Sequence, residues 1–578
     1  MFKGYDPGFC GQSYQAAMVL QDAEDTINLY LETAPKDVRA KMRQALLGCP
    51  GLNPLLNTQV GQVRGLWVLP GAQQALAAVS NGLWLITISV PATQTSIAQY
   101  GATFVGTLNT VSGPVVMRDN GVLQNGLGGY CLIVDGTYGY YYLLSGVPYS
   151  NTFSGATAAG SALITLPGEL PNGLIISSGG TLNAASGNIL INTLVTNVDT
   201  IGLTVSMSQA ATGTDATDSI TLSIPVFGQI TDPGFLGSDR VAFIEGWLVC
   251  NQPGTRTFFT TGPTPYQMLF PGLDFALKDS STDNLITLYE LNRELWLIGE
   301  RTTEVWYNAG DTPGVTFARI PGVGPQLGCA AKHSITRAGP SLVMLARNEQ
   351  GENVVVKSES YAYARISTHA VEHAIASYPV VNDAIGYAYE EDGHLFYMLI
   401  FPTADKTWCY DFSTDAWHKR LSWDPVAGIF HRHRSNCFMD FGNVRIVGDY
   451  QTGQLHQMSR SYYTDAGQPL RTLRRTPHVW SAENRERVFF SQLQIEFTPG
   501  VGLQSGQGSN PQAMLKFSDD GGFTWSNEMW CTIGAAGETK NRAIWRLLGK
   551  ARDRVWQVVF TDPVPRDIIG ATLYAEAQ

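Results

Sequence analysis

Short apolar runs with a period of two recur along this chain. Each is closed by a turn rich in Gly, Asn or Asp, and that pattern admits few folds. Leu66–Leu69 and Leu83–Ile86 begin the series. Tyr130–Val134 reaches the turn Asp135–Gly136 and returns as Tyr140–Leu143. Val241–Ile244 turns at Glu245–Gly246 into Trp247–Val249, and Leu285–Tyr289 runs on into Leu295–Ile298 and Val305–Tyr307. Leu342–Leu345 turns at Gln350–Gly351 into Val354–Val356. Ile385–Tyr389 turns at Asp392–Gly393 into Leu395–Phe401 and Thr407–Asp411, and Val444–Val447 closes the series. Alternation at period two marks a strand, and the intervening residues are turn formers. Units of three or four such strands come at roughly 40–50 residues, the spacing of β-propeller blades. One small sheet cannot bury both of its faces, whereas radial packing buries them and leaves only short edges. About six or seven candidate blades can be counted.

Composition supports this reading. Only 15% of the 578 residues are charged, and the chain carries 13 Trp and 24 Tyr. Disordered chains are charge-rich and aromatic-poor, and coiled coils need far more Glu, Lys and Arg. The net charge of −11 argues against a protein that wraps nucleic acid tightly. That charge is unevenly placed. Between Arg118 and Arg240 there is no Lys or Arg, only Asp119, Asp135, Glu169, Asp199, Asp215, Asp218, Asp232 and Asp239. The cysteines are scattered without a CxxC pair, as expected of reduced core thiols made in a cytoplasm. Met1–Phe9 has no apolar stretch of a secretory leader, and no run is long and apolar enough to suggest membrane insertion.

The expected organisation is mostly β. It is a β-propeller with an inserted β-sandwich and a C-terminal β-sandwich domain. Residues 1–64 read as an N-terminal arm with one short helix. In Lys36–Leu47, Val38, Met42, Ala45 and Leu46 share a helical face that ends at Gly48. Residues 65–146 carry the first blades and 229–465 the remaining ones. Residues 147–228 interrupt the series, with no Trp, Lys or Arg but with alternating runs at Leu174–Ser177, Ile189–Leu194 and Ile220–Ile224. They are expected to form the inserted sandwich. Residues 466–488 read as a basic connector holding Arg471, Arg474, Arg475, Arg485 and Arg487. In an acidic chain these arginines suggest contacts with a neighbouring subunit or partner ring. Residues 489–578 form the C-terminal domain, with strands at Gln492–Phe497, Met514–Phe517 and Val555–Phe560.

Three motifs carry candidate chemistry. His369-Ala-Val-Glu372-His373 fits H-x-x-E-H, but a metal site needs a third ligand, and Pro379 limits the helix. His431 and His433 with Cys437 offer three zinc-ligand types at an unusual spacing, without a fourth. Ser518, Asp520, Gly522, Thr524 and Trp525 fit the Asp-box, S-x-D-x-G-x-T-W. There the Asp closes a turn, Gly supplies positive φ and Trp packs beneath. Asp-boxes resemble those of sialidases, so a glycan-binding or sialidase-like propeller acting on host surface polysaccharide is the alternative function. A glycosidase needs a placed carboxylate pair or a Tyr nucleophile, and no spacing here demands one. No phosphate-binding loop of the GxxxxGK[ST] type and no G-x-S-x-G elbow occurs. No catalytic residue, metal or cofactor is expected.

An ordered set of segments is similar to the tail hub, or nozzle, proteins of short-tailed phages, the packaged-DNA stabilisation family. The set opens with Gly11-Gln-Ser13-Tyr14, Ile27-Asn28-Leu29-Tyr30 with Glu32, and Pro50-Gly51-Leu52. It continues through Glu304-Val-Trp306-Tyr-Asn308, Ile320-Pro321-Gly322 and Gly328-Cys329-Ala330-Ala331. Arg365-Ile-Ser367-Thr368-His369, Gly393-His394-Leu-Phe396-Tyr397 and Phe401-Pro402-Thr403 come next. Thr407-Trp408-Cys-Tyr410-Asp411 and Trp417-His418-Lys-Arg420 follow, then Ser518–Trp525 and Leu548–Asp553.

The resemblance implies a virion tail protein, assembled in the bacterial host cytoplasm, with no enzymatic step. It implies a homo-hexameric ring below the portal and its adaptor, or head-to-tail connector. That ring retains packaged double-stranded DNA and conducts it during ejection, with a tail fibre, spike or needle as further partners. Acid at a lumen would repel phosphates and let a duplex slide.

Overall fold

The computed structural model describes residues 3–35, 42–90, 98–121, 129–168, 180–199, 202–261, 268–310, 316–348, 350–481 and 486–577. Among these, seven units follow one another around a ring, each with four strands except the fifth, where Gly328–Cys329 adds one more. The first three begin at Val63–Val68, Val116–Asp119 and Val241–Ile244, and the next three at Leu285–Leu291, Thr336–Ala338 and Ile385–Glu391. The last begins at Ser435–Phe441. Within each unit the strands are antiparallel and mostly consecutive, so local hairpins build the blades. Glu245 and Gly246 both have positive φ, 48° and 96°, as do Asp392 and Gly393, at 51° and 83°. This is the tight hairpin turn whose twist matches that of its flanking strands.

The seventh blade takes its outer strand from the N-terminus. Gly51–Asn57 pairs antiparallel with Gln454–Ser459, from Gly51 opposite Ser459 to Asn57 opposite Gln454. The ring is closed by strand pairing between the two ends of the propeller sequence. Val63, Ala75 and Ala77 of the first blade share a buried core with Met439, Phe441 and Ile446 of the seventh.

Three expectations are corrected. The first is the N-terminal arm. Leu29–Thr33 and Gln44–Gly48 pair with each other, and Leu46 lies opposite Ile568 of the C-terminal strand Ile568–Ala577. The residues read as the end of a helix are a strand, because pairing with Leu29–Thr33 and with Ile568 overrides a weak local preference. Residues 36–41 of that expected helix lie outside the described residues. Lys3–Tyr5 also joins Ile568–Ala577. Phe9, Leu29, Leu31 and Leu46 are buried with Phe490, Leu493, Trp545, Trp556 and Leu573 in one core.

The second correction is the connector. Thr472–Arg475 is a strand, held between Ala23–Ile27 and Asp553–Phe560. The C-terminal sandwich is therefore built from both chain ends. One of its sheets runs on into the sixth blade, because Ile27 pairs in parallel with Lys419 of Ala416–Lys419.

The third is the insert. It leaves and re-enters the second blade between Gly139–Leu143 and Phe227–Gln229. Its six strands form one closed barrel, not two packed sheets. Asp215–Ile224 pairs on one side with Tyr149–Thr157 and on the other with Thr181–Ala184, so no edge is left free. Phe153, Ile164, Leu182, Val205, Ile220 and Leu222 fill the interior, and strong curvature needs small residues. A Cβ on Gly155 would lie 2.5 Å from Ile164 Cγ2. Leu174–Ser177 falls outside the described residues, and of Ile189–Leu194 only Thr193 and Leu194 are in a strand.

Candidate functional site

The polar groups expected to do chemistry are used to hold the fold together. Glu372 sits in the helix His369–Ala376, capped by Thr368, where its carboxylate takes hydrogen bonds from Arg365 and from Ser367 Oγ, the latter at 2.6 Å. His369 is largely exposed. His431 Nδ1 lies 2.7 Å from Asp405, while His433 is buried against Ser435 and Arg420. The two histidines have separate partners and do not converge on Cys437. Among the described residues no group of three or more His, Cys, Asp or Glu is placed to hold a metal ion.

The Asp-box is a self-contained turn. Asp520 accepts from the Thr524 backbone N–H at 2.9 Å and its hydroxyl at 2.6 Å, and from Ser518 Oγ at 2.6 Å. Gly522 N–H donates to Ser518 Oγ at 2.7 Å, and Trp525 Nε1 donates to Gly522 O at 3.1 Å. Gly522 has φ +104°. The hydrogen bonds from Ser518 and Thr524 hold the Asp520 carboxyl well below the usual carboxylate range. A carboxylate so occupied closes a turn.

The basic cluster is more informative. Arg474 is fully buried and cannot reach a neighbouring molecule. Its guanidinium donates to the carbonyls of Phe9 (2.6 Å), Gln12 (3.0 Å) and Gly8 (3.3 Å) and to Thr26 Oγ1 (2.8 Å), and it pairs with Glu24. It pins the chain's own N-terminus into the sandwich. Arg475 lies over the Trp525 ring at 4.8 Å and donates to Gln557 at 3.0 Å. Arg471 lies over Trp423 at 4.3 Å. These two are half-buried, and Arg487 alone of the described cluster is exposed. Arg485 falls outside the described residues. The expected inter-subunit role is thus corrected for Arg474, whose five acceptors all belong to its own chain.

The same logic extends to arginines outside the basic run. Arg566 donates to Cys49 O at 2.9 Å, and Arg420 to Pro50 O at 3.1 Å, both from buried positions. Arg460 joins Asp392 of the sixth blade (2.7 Å) to Asp567 of the sandwich (3.3 Å). Asn28 completes the seam. It has φ 58°, a left-handed conformation that Asn tolerates. Its side-chain amide donates to Leu421 O (2.7 Å) and Arg471 O (2.8 Å) and accepts from Leu421 N–H (3.0 Å). A seam of buried guanidinium and amide groups therefore joins propeller to sandwich. In the sequence it surfaced only in separate segments, Ile27-Asn28-Leu29-Tyr30, Pro50-Gly51-Leu52 and Trp417-His418-Lys-Arg420, with nothing to join them.

The acid-only stretch also looks different in three dimensions. Asp135, Asp218, Asp232 and Asp239 are buried. Asp135 accepts from the Thr137 and Tyr138 N–H groups, and Asp232 from the Gly234 and Phe270 N–H groups. Asp135 and Asp232 thus close turns, while Asp218 takes hydrogen bonds from Ser186 and Asp239 pairs with Lys332. Glu169 lies outside the described residues.

Two family descriptions match this chain in sequence order. One, bacteriophage P22 Gp10 β-propeller, a phage stabilisation description, covers residues 136–463. The other, bacteriophage P22 Gp10 β-sandwich, covers residues 471–576. The chain belongs to the bacteriophage P22 Gp10 stabilisation family. The first match ends within the seventh blade's closing loops, and the second begins at the strand that carries Arg474. In this family the propeller and sandwich are structural parts of the phage particle, and the present chain is a virion protein of the tail. No curated protein matches. Among solved structures, the Dos1 propeller is 8% identical, with 71% of this chain and 95% of that one covered at TM-score 0.31. Kluyvelomyces marxianus Hsv2 is 9% identical over 62% and 96%, at TM-score 0.23. The Chaetomium thermophilum Nup170 NTD–Nup53 complex is 8% identical over 78% and 65%, at TM-score 0.30.

Proposed function

We propose that this chain is a non-enzymatic tail hub subunit. Six copies form a ring below the portal and adaptor, retain the packaged double-stranded DNA and conduct it outward at ejection. Tail fibres, spikes or a needle attach to the same ring. The observation that carries the reading is the rigid junction between two wall modules in a chain of the P22 Gp10 family. Strand pairing of Ile27 with Lys419, the Asn28 amide and the Arg460 bridges leave little freedom between propeller and sandwich. A ring wall under pressure from packed DNA needs such stiffness.

The duplex does not pass through the propeller itself. The inner strands leave an axial cavity of about 160 Å³. A B-form duplex, whose major groove alone is about 12 Å wide, cannot thread it. The DNA path lies between copies, and the propeller is a stave of the wall.

With Arg474 committed internally, apolar residues are the better candidates for the ring contact. Phe523 at the tip of the Asp-box turn is 72% exposed, and Met18 is 67% exposed. Leu20, also exposed, reaches the same turn, since a Cβ on Gly521 would lie 2.5 Å from its Cδ2. Exposed apolar groups set close together suit a heterologous contact that closes a ring. Sedimentation velocity of the wild type and of Phe523→Ser tests this. Loss of the assembled species in the variant, with an unchanged melting temperature, is expected. Unchanged assembly removes Phe523 from the contact.

A further inference from the structure

We propose that the axial cavity of the propeller binds a small oxyanion of phosphate or sulfate size, held by Arg240 and Arg118. All seven blades contribute to the lining of this cavity, which includes Arg64, Arg118, Arg240, Tyr289 and His333 and no Asp or Glu. Arg240 is 7% exposed, and its guanidinium makes no hydrogen bond or ion pair among the described residues. Arg118 lies over the Trp67 ring at 4.4 Å and, among the described residues, its side chain donates to Met117 O alone. Arg64 is different, because its guanidinium is taken up by Gly113, Ser80, Thr110 and Ser112.

The neighbouring carboxylates are already committed. Asp239 holds Lys332 at 2.5 Å and Asn251 at 2.8 Å. Asp135 closes its own turn, and Asp119 accepts from Trp67 Nε1 at 2.7 Å and from Gly121 N–H. Burial first, and then Arg118, lowers the Arg240 pKa to about 10, so it remains cationic at neutral pH. Burial, Arg240 and Lys332 keep the His333 imidazole neutral. A buried guanidinium without a partner is costly, and an anion in contact with it offsets that cost. Arg118 is on the second blade, Arg240 at the start of the third, Tyr289 on the fourth and His333 at the start of the fifth. One oxyanion there would tie consecutive blades together from the axis.

Calorimetric melting of the full-length protein tests the site. Sodium phosphate or sulfate is titrated against sodium chloride and sodium acetate at matched ionic strength. A saturating rise in melting temperature with the tetrahedral anions is expected, as for any ligand that binds only the native state. Arg240→Met should abolish that rise and, in chloride alone, melt higher than the wild type. Arg118→Gln should fold normally and weaken phosphate binding at least tenfold by isothermal titration. The proposal is overturned if chloride and phosphate stabilise equally, if acetate matches phosphate, or if Arg118→Gln binds phosphate as the wild type does.

Discussion

The guanidinium of Arg474 is paired with the carboxylate of Glu24, 450 residues earlier in the chain. The contact lies inside the sandwich, between the strand that follows the propeller and the strands that precede it. Removing one partner of a buried pair leaves the other uncompensated, at a cost of about 3–5 kcal/mol. Arg474→Ala should therefore lower stability by that order in urea unfolding. It should also expose the segment around Gly8–Gln12 to protease before the propeller opens. Arg474→Lys should recover little, because a single ammonium with three donors cannot serve five acceptors spread over a planar fork. Full recovery by Lys would show that charge alone matters at this position.

Ring closure depends on a glycine. A Cβ at Gly51 would lie 2.4 Å from Tyr462 O and 2.5 Å from Thr464 O, both backbone atoms that cannot swing aside. Gly51→Ala should push Gly51–Asn57 away from Tyr462–Thr464, disturb its pairing with Gln454–Ser459 and cost about 1–3 kcal/mol, the usual range for overpacking. Hydrogen exchange should quicken first at Leu455–Met458, in the seventh blade, rather than in the third or fourth.

The junction of sandwich and sixth blade should respond to pH. His394 lies between Glu32 and Asp411, at 2.7 Å from each. Burial disfavours the imidazolium, but its hydrogen bonds to Glu32 and Asp411 outweigh it and raise the pKa above the ordinary histidine value. A raised folded-state pKa means that protonation stabilises the native form. The contribution is fully present below about pH 6.5, the unfolded value, and is lost as pH rises through the folded one. Melting temperature should fall over that window in the wild type, and the fall should be smaller in His394→Gln.

The insert should be dispensable for folding of the ring. Tyr149 lies opposite Ile224 in antiparallel register, so both ends of the barrel leave the second blade side by side. Replacing residues 148–225 with a two-residue turn should preserve the pairing of Tyr142 with Phe227 and a cooperative melt. Aggregation of the deletion protein would show that the barrel core shared with Tyr130, Leu132 and Phe259 is needed.

The blades were legible because their information is local. Tyr130–Val134 and Val241–Ile244 fall on the strands expected of them, since alternation and a positive-φ turn specify a hairpin within some fifteen residues. Gln44–Gly48 was misread because its own apolar spacing also fits a helical face, and only its pairing with Leu29–Thr33 and Ile568 makes it a strand. The insert was legible as strands but not as a barrel. Whether six short strands close on themselves depends on which strand Asp215–Ile224 pairs with on its second side. The basic run at Arg471–Arg475 was visible as charge, yet charge alone does not say whether a guanidinium meets water, a neighbour or its own backbone. Arg474 meets its own backbone, and so does the buried Arg566, which no pattern had marked.

The central claim is that copies of this chain close into a tail ring. Cryo-EM images of the purified full-length protein, alone and with its adaptor, address it most directly. The account predicts sixfold rings whose lumen lies between subunits and whose walls are propellers with axes too narrow for a duplex. A monomer under both conditions, or density for DNA along a propeller axis, would contradict it.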